Sequence, residues 1–197
     1  MRVLTRDIID PIVTVLARLH ISPNLLTIVG MLLHIFYAWL IANGYMTAAG
    51  IMILVFVPLD ALDGALARKI GSTGSKFGAF LDSTSDRIAE IILFAGYIYY
   101  FGMQDEPWLV AASYIAITGS IMVSYARSRA EALGISCKVG LFSRVERYVL
   151  IVATLVLSIP EWGVVILAVG SCFTVGQRVY HVWKQSNLLA VSQESDT

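Results

Sequence analysis

The chain has 197 residues, 57% of them hydrophobic and 14% charged, with 14 basic residues balanced by 14 acidic ones and a mean hydropathy of +0.75. This excludes an ordinary soluble domain, leaves little polar sequence for an additional one, and gives no reason to expect a nucleic-acid partner. An all-α integral membrane protein is expected, because the length accommodates about six spans of roughly 20 residues each with short loops.

In chain order, residues 1–20 come first and differ in kind from the rest. RVLTRDIIDPIVTVLARL sets apolar groups among charges at helical intervals and has no long apolar core, which predicts an amphipathic helix lying on the membrane surface. A signal peptide is the competing reading. Asp7 and Asp10 break its apolar region and no small-residue cleavage site follows, so it is rejected. Apolar runs at 23–42, 48–68, 77–101, 108–130, 145–159 and 162–183 then supply six transmembrane helices. The expected organisation is a juxtamembrane helix at 1–20, a six-helix transmembrane domain at 21–184 carrying the chemistry, and a polar, frayed tail at 185–197.

With six spans, all 14 Lys and Arg fall on the side of the N-terminus or near that end of a helix, from Arg2 and Arg6 to Arg178 and Lys184. The opposite loops carry Asp105, Glu106 and Glu161 and no basic residue. The positive-inside rule therefore predicts a multi-pass protein of the cell membrane with both termini in the cytoplasm. Cys137 and Cys172 are the only cysteines and indicate neither a disulfide framework nor a zinc site. His20, His34 and His181 lack clustered ligand partners and read as packing or interfacial residues.

Four acids interrupt this apolar sequence. Asp60 and Asp63 stand three apart, Asp82 and Asp86 four apart, and a short polar segment containing Gly71 joins the pairs. On helices, each pair would share a face, and a tight turn would let the two faces meet. Ionised carboxylates at membrane depth are costly, so a divalent cation is their natural partner, and hard oxygen ligands favour Mg²⁺ or Mn²⁺. Two ions are expected, since a two-metal site stabilises both attacking and leaving oxygens in a phosphoryl displacement. The bland alternative is a structural network with Arg68, Lys69, Lys76 and Arg87.

Asp60, Asp63, Gly64, Ala67, Arg68, Gly78, Asp82 and Asp86 fill every fixed position of the pattern DxxDGxxAR…GxxxDxxxD, and on these residues the chain resembles the CDP-alcohol phosphotransferases. The resemblance implies that a CDP-linked lipid, CDP-diacylglycerol or an archaeal equivalent, donates a phosphatidyl-type group to an acceptor hydroxyl and releases CMP. By matching position, Asp60, Asp63 and Asp82 would hold one ion and Asp60, Asp82 and Asp86 the second, with Asp86 also the general base. Gly64 lets a nucleotide approach the helix backbone or serves helix packing. Arg68 is placed to bind the diphosphate, against a snorkelling role at the lipid headgroups. Ala67 and Gly78 complete the donor-binding positions, and Ser75 resembles a hydroxyl that contacts the cytidine part in relatives. SPNLLTIVG resembles the family's PNxxT element, so Asn24 and Thr27 either contact the nucleotide, orient an aspartate, or belong to a helix cap with Ser22.

Residues 124–150, SYARSRAEALGISCKVGLFSRVERYVL, place Arg127, Arg129, Lys138, Arg144 and Arg147 in one cytoplasmic region. Singly, each satisfies the positive-inside rule or meets acidic lipid headgroups. Together, SYxxxRAExxG, RxER, LDSTSDR and the GQR ending at Arg178 resemble the phosphatidylinositol phosphate synthase branch. That branch implies an inositol phosphate acceptor, its phosphate gripped by Arg127, Lys138, Arg144 and Arg178, and a homodimer. The alternatives are a phosphatidylglycerophosphate synthase, another CDP-alcohol phosphotransferase, or a divalent cation carrier. Against the carrier, an arginine beside the acids has little use in a cation path.

Overall fold

A computed structural model describes residues 4–71 and 75–195, with side chains for 10–56, 62–71 and 75–188. Among these there are helices and connections but no strand: α1 (Leu4–Arg18), α2 (Pro23–Ala42), α3 (Met46–Lys69), α4 (Lys76–Met103), α5 (Pro107–Ala132), α6 (Arg144–Val156) and α7 (Pro160–Ser195). They form two compact units, 1–96 and 97–197, and α4 contributes to both.

In the first unit, Ser22 caps α2 by accepting the Leu25 N–H at 3.2 Å, and Pro23 occupies the first turn, where its missing N–H costs nothing. One stripe of α2 is buried, at His34, Tyr37, Leu40 and Ile41, while Leu32, Ile35, Phe36 and Trp39 are exposed. That inversion suits a bilayer, where apolar side chains face lipid, and would be an aggregation hazard in water. Helix α1 packs on α3 through Val13, Leu62 and Leu66, flanked by Leu16 and Ala17, and Lys69 Nζ donates to Thr14 Oγ1 at 2.5 Å. Ile12 and Val15 are exposed, so α1 shows apolar groups beyond its packed stripe.

Helices α2 and α4 meet almost backbone to backbone. A Cβ on Gly96 would lie 2.6 Å from the Ala38 carbonyl oxygen and 2.8 Å from its Cα. Gly96→Val is therefore expected to cost about 1–3 kcal/mol, read as a lowered thermal midpoint in detergent. Gly102→Ala is its control, because nothing lies within 4 Å of that position. Equal midpoints for the two variants would show that the close approach does not hold the helix pair.

In the second unit, α5 packs along α7 through small residues. Ser113, Gly119 and Ser120 are buried on α5, and a Cβ on Gly119 would come 2.9 Å from Ser171 Cβ. The Ser113 hydroxyl donates to Leu109 O at 2.8 Å, so it is satisfied inside the helix. Helix α6 lies on α7 with Ile151, Leu155, Val164 and Leu167 buried.

Among the described residues, three helices are long and apolar enough to cross a membrane, Pro23–Ala42, Pro107–Ala132 and Pro160–Leu188, with a shorter apolar stretch at Met46–Phe56 within α3. Five of the six expected runs are helical throughout and the run at 145–159 is helical to Val156, but they do not all have the length and composition of a span. Asp82, Asp86, Arg87 and Glu90 charge α4, and α6 has 13 residues, hence about 20 Å against a hydrocarbon core of about 30 Å. Helix α7 runs beyond the last expected span, through Gln185 to Ser195. Apolarity marks where a helix leaves lipid, whereas the helix itself ends only where capping or breaking residues stop it, and no Gly or Pro follows Gly176.

Candidate functional site

The acids stand where helix geometry requires. Positions 60 and 63 lie in α3, and 82 and 86 in α4, so each pair shares a helical face. Asp63 is half-buried. Thr27 Oγ1 on α2 donates to its Oδ2 at 2.7 Å, and the Gly64 N–H donates to its Oδ1 at 2.5 Å. Thr27 also reaches back to the Pro23 carbonyl at 3.3 Å. Of the roles open to Thr27, the geometry provides contact with an aspartate, while the capping belongs to Ser22.

On α4, Asp82 is exposed and Asp86 is half-buried, 3.6 Å from Arg87 Nη1, whose other engagement is the Ser83 carbonyl one turn back. Glu90, only 3% exposed, continues the four-residue row of Asp82 and Asp86 into the protein. Sequence reasoning passed over it, although the spacing was available. The Asp60 side chain lies outside the described residues. Among those described, which exclude the Asp60 side chain, no three His, Cys, Asp or Glu gather as a metal site. The donor set fits a hard divalent ion in chemistry, being carboxylate oxygen throughout, with Asp63 held by two neutral donors, Thr27 and the Gly64 N–H.

The residues expected to hold the donor group around these acids. A Cβ on Gly64 would lie 3.5 Å from Arg68 Nη1, so the guanidinium of this exposed arginine passes over the glycine. Ala67 is half-buried on the same turn. Ser75 caps α4, its Oγ accepting the Gly78 N–H at 3.1 Å, and a Cβ on Gly78 would stand 3.5 Å from both Asn24 Oδ1 and Ser75 Oγ. Asn24, Ser75 and Gly78 thus form one polar corner where α2 and α4 begin.

In the second unit the basic residues divide into open and engaged. Arg127 is exposed and paired with Glu131 at 2.8 Å, a surface pair worth little on its own. Arg144 opens α6, its guanidinium carbon 5.8 Å from the Tyr148 ring centroid. Lys138 is exposed and makes no hydrogen bond or ion pair among the described residues. Arg178 is among the engaged residues. It is only 4% exposed, with Nε donating to Val139 O at 3.0 Å and Nη1 donating to Val123 O, so two of its donors go to main chain. Arg147 is 2% exposed and donates from Nη1 to Phe142 O at 3.2 Å. No sequence signal separated these engaged arginines from the open ones.

A family model described as CDP-alcohol phosphatidyltransferase matches residues 20–176. The archaetidylinositol phosphate synthase of Pyrococcus horikoshii is 40% identical over 171 residues, 86% of this chain and 88% of that protein. The phosphatidylinositol phosphate synthase of Mycobacterium tuberculosis is similar in structure at 34% identity. Its crystal structure with manganese and citrate gives a TM-score of 0.83, covering 89% of this chain and 88% of that one. Its crystal structure with CDP-DAG bound gives 0.82, covering 93% and 94%.

Proposed function

Because the chain belongs to the CDP-alcohol phosphatidyltransferase family, and so is an enzyme of that class, we propose that it transfers the phosphatidyl-type group of a CDP-linked lipid to a hydroxyl of an inositol phosphate. The observation that carries this reading is the complete acid signature on α3 and α4 with Asp63 already held by Thr27. The choice of acceptor is supported by the relatives, an archaetidylinositol phosphate synthase and a phosphatidylinositol phosphate synthase that match over most of their length.

In the proposed reaction the acceptor oxygen attacks the lipid-side phosphorus of the diphosphate. One P–O bond forms to that oxygen, the P–O bond to CMP breaks, and the hydroxyl proton passes to a carboxylate oxygen of Asp86. Asp60, Asp63 and Asp82 would hold one divalent ion and Asp60, Asp82 and Asp86 a second, Mg²⁺ or Mn²⁺. Bound there, the ions would supply charge neutralisation at the attacking and leaving oxygens. Thr27 fixes the direction of Asp63. Arg68 binds the diphosphate by charge-assisted hydrogen bonds beside Gly64 and Ala67, and Asn24, Ser75 and Gly78 face the nucleotide. Arg127, Lys138 and Arg144 receive the acceptor's phosphate, with Arg178 adding positive charge from within its own unit.

The apolar faces of α2, α5 and α7 associate the chain with a membrane. We propose six crossings, with α1 on the cytoplasmic surface and both termini and the acids on that side, on the strength of the basic-residue segregation. For α6 the crossing draws on Leu157 and Ile159 beyond its end. A homodimer is proposed from small-residue faces of the kind that pack α5 on α7.

The test is product identification. Purified protein with CDP-diacylglycerol and Mn²⁺ is expected to release CMP when inositol phosphate is supplied and to form a phosphatidylinositol phosphate. CMP release with glycerol 3-phosphate and none with inositol phosphate would move the enzyme to the phosphatidylglycerophosphate branch. Thr27→Val is expected to lower turnover about tenfold and weaken Mn²⁺ binding, while Thr27→Ser restores both. Thr27→Val with unaltered metal affinity would remove its role in holding Asp63.

A further inference from the structure

Residues 133–143, between α5 and α6, form the longest non-helical stretch described, and a connection of that length needs partners for its main chain. They come from one face of α7. His181 Nε2 meets Ser136 O at 3.1 Å, Arg178 Nε donates to Val139 O at 3.0 Å, Gln177 Oε1 accepts the Leu141 N–H at 3.1 Å, and Thr174 Oγ1 accepts the Phe142 N–H at 3.0 Å. As the connection advances from 136 to 142, its partners descend from 181 to 174, so it runs antiparallel to the helix at the three- and four-residue spacing of a single face.

Burial follows the same register. Ile135 and Cys137 are buried with Ala130, and Val139 packs on them with Val182, while Ser136, Lys138 and Gly140 are exposed, a period-two alternation proper to extended chain. Gly140, at φ +129°, permits the approach, since a Cβ there would come 2.5 Å from Thr174 Cγ2. Both main-chain groups of Phe142 are held, its N–H by Thr174 and its carbonyl by Arg147. Lys138 therefore projects from a segment fastened on either side of it, and Arg144 opens α6 two residues beyond a fastened Phe142.

We propose that Thr174, Gln177 and His181 are positioning residues for the phosphorylated acceptor: by holding the main chain of 136–142 they fix the placement of Lys138 and Arg144. The inference rests on the reading that these two cations bind the acceptor's phosphate. It gives Arg178 a place in the same clamp and explains why a residue expected at the anion is buried against carbonyl oxygens. Preorganising two long cationic side chains lowers the ordering cost of binding a dianion, which shows in acceptor affinity and not in donor affinity.

Steady-state kinetics of the full chain in detergent, with inositol phosphate and CDP-diacylglycerol varied separately, tests the clamp. Gln177→Leu and Thr174→Val are each expected to raise the acceptor KM about tenfold while the donor KM and the saturated kcat stay within about twofold. Gln177→Glu and Thr174→Ser keep the accepting oxygen and are expected to restore the acceptor KM. Unchanged acceptor KM in both disruptive variants, parallel loss for donor and acceptor, or failure of both rescues would overturn the proposal. If Thr174→Val does not fold, half-buried Gln177 carries the test, with hydrogen exchange at the Leu141 and Phe142 amides expected to accelerate in Gln177→Leu. A wild-type enzyme that uses a different phosphorylated acceptor refutes the acceptor reading alone, and the same KM split measured with that acceptor then decides the clamp.

Discussion

Asp82→Asn is expected to reduce CMP release by at least about 10³-fold, because it removes a ligand shared by both proposed ions while changing only one oxygen to nitrogen. Asp82 is exposed on α4, so the substitution leaves the packing of the first unit intact and the thermal midpoint in detergent should stay within a few degrees of wild type. Mn²⁺ affinity should fall together with turnover. A variant with full activity would refute the assigned role, and one that fails only by unfolding would show the residue to be structural.

Asp86→Asn is expected to lower kcat by about 10³-fold for a different reason. Asparagine cannot take the acceptor's proton, and general-base catalysis contributes about 10²–10⁴-fold. Asp60, Asp63 and Asp82 would remain to hold one ion, so binding of the CDP-linked donor should survive better than turnover. Equilibrium binding of the nucleotide beside single-turnover CMP release separates the two effects. Loss of donor binding as complete as the loss of turnover would leave Asp86 as a ligand only, and unimpaired turnover would remove it from the mechanism.

The helical scaffold was legible because its signals are local. The Ser22–Pro23 start of α2 gave that helix its observed bounds, and Pro107 and Pro160 stand in the first turns of helices that the apolar runs placed one or two residues later. The end of α7 was hidden, since 185–195 is polar and an apolarity criterion stops at the lipid boundary. The length of α6 was overread, because Leu157, Ser158 and Ile159 prolong an apolar run without prolonging a helix.

Within the site, the aspartate pairs and their shared faces followed from spacing alone. Thr27 meeting Asp63 across 36 residues of sequence did not, and was one of several roles open to that hydroxyl. The clamp along α7 was harder still. Side chains bonded to main chain impose no residue type on the segment they hold, and only the alternation in Ile135–Ser136–Cys137–Lys138–Val139 marked it as extended. The carbonyls that hold Arg178 were equally hidden, because sequence records its charge and not its main-chain partners.

The proposed metal centre is tested most directly by titrating the chelator-stripped protein in detergent with Mn²⁺, following free ion by its paramagnetic resonance signal, for wild type, Asp63→Asn and Asp82→Asn. Saturable binding in the wild type, weakened by each substitution and regained together with CMP release, is the expected result. Binding that is absent in the wild type, or equal in all three proteins, would contradict it.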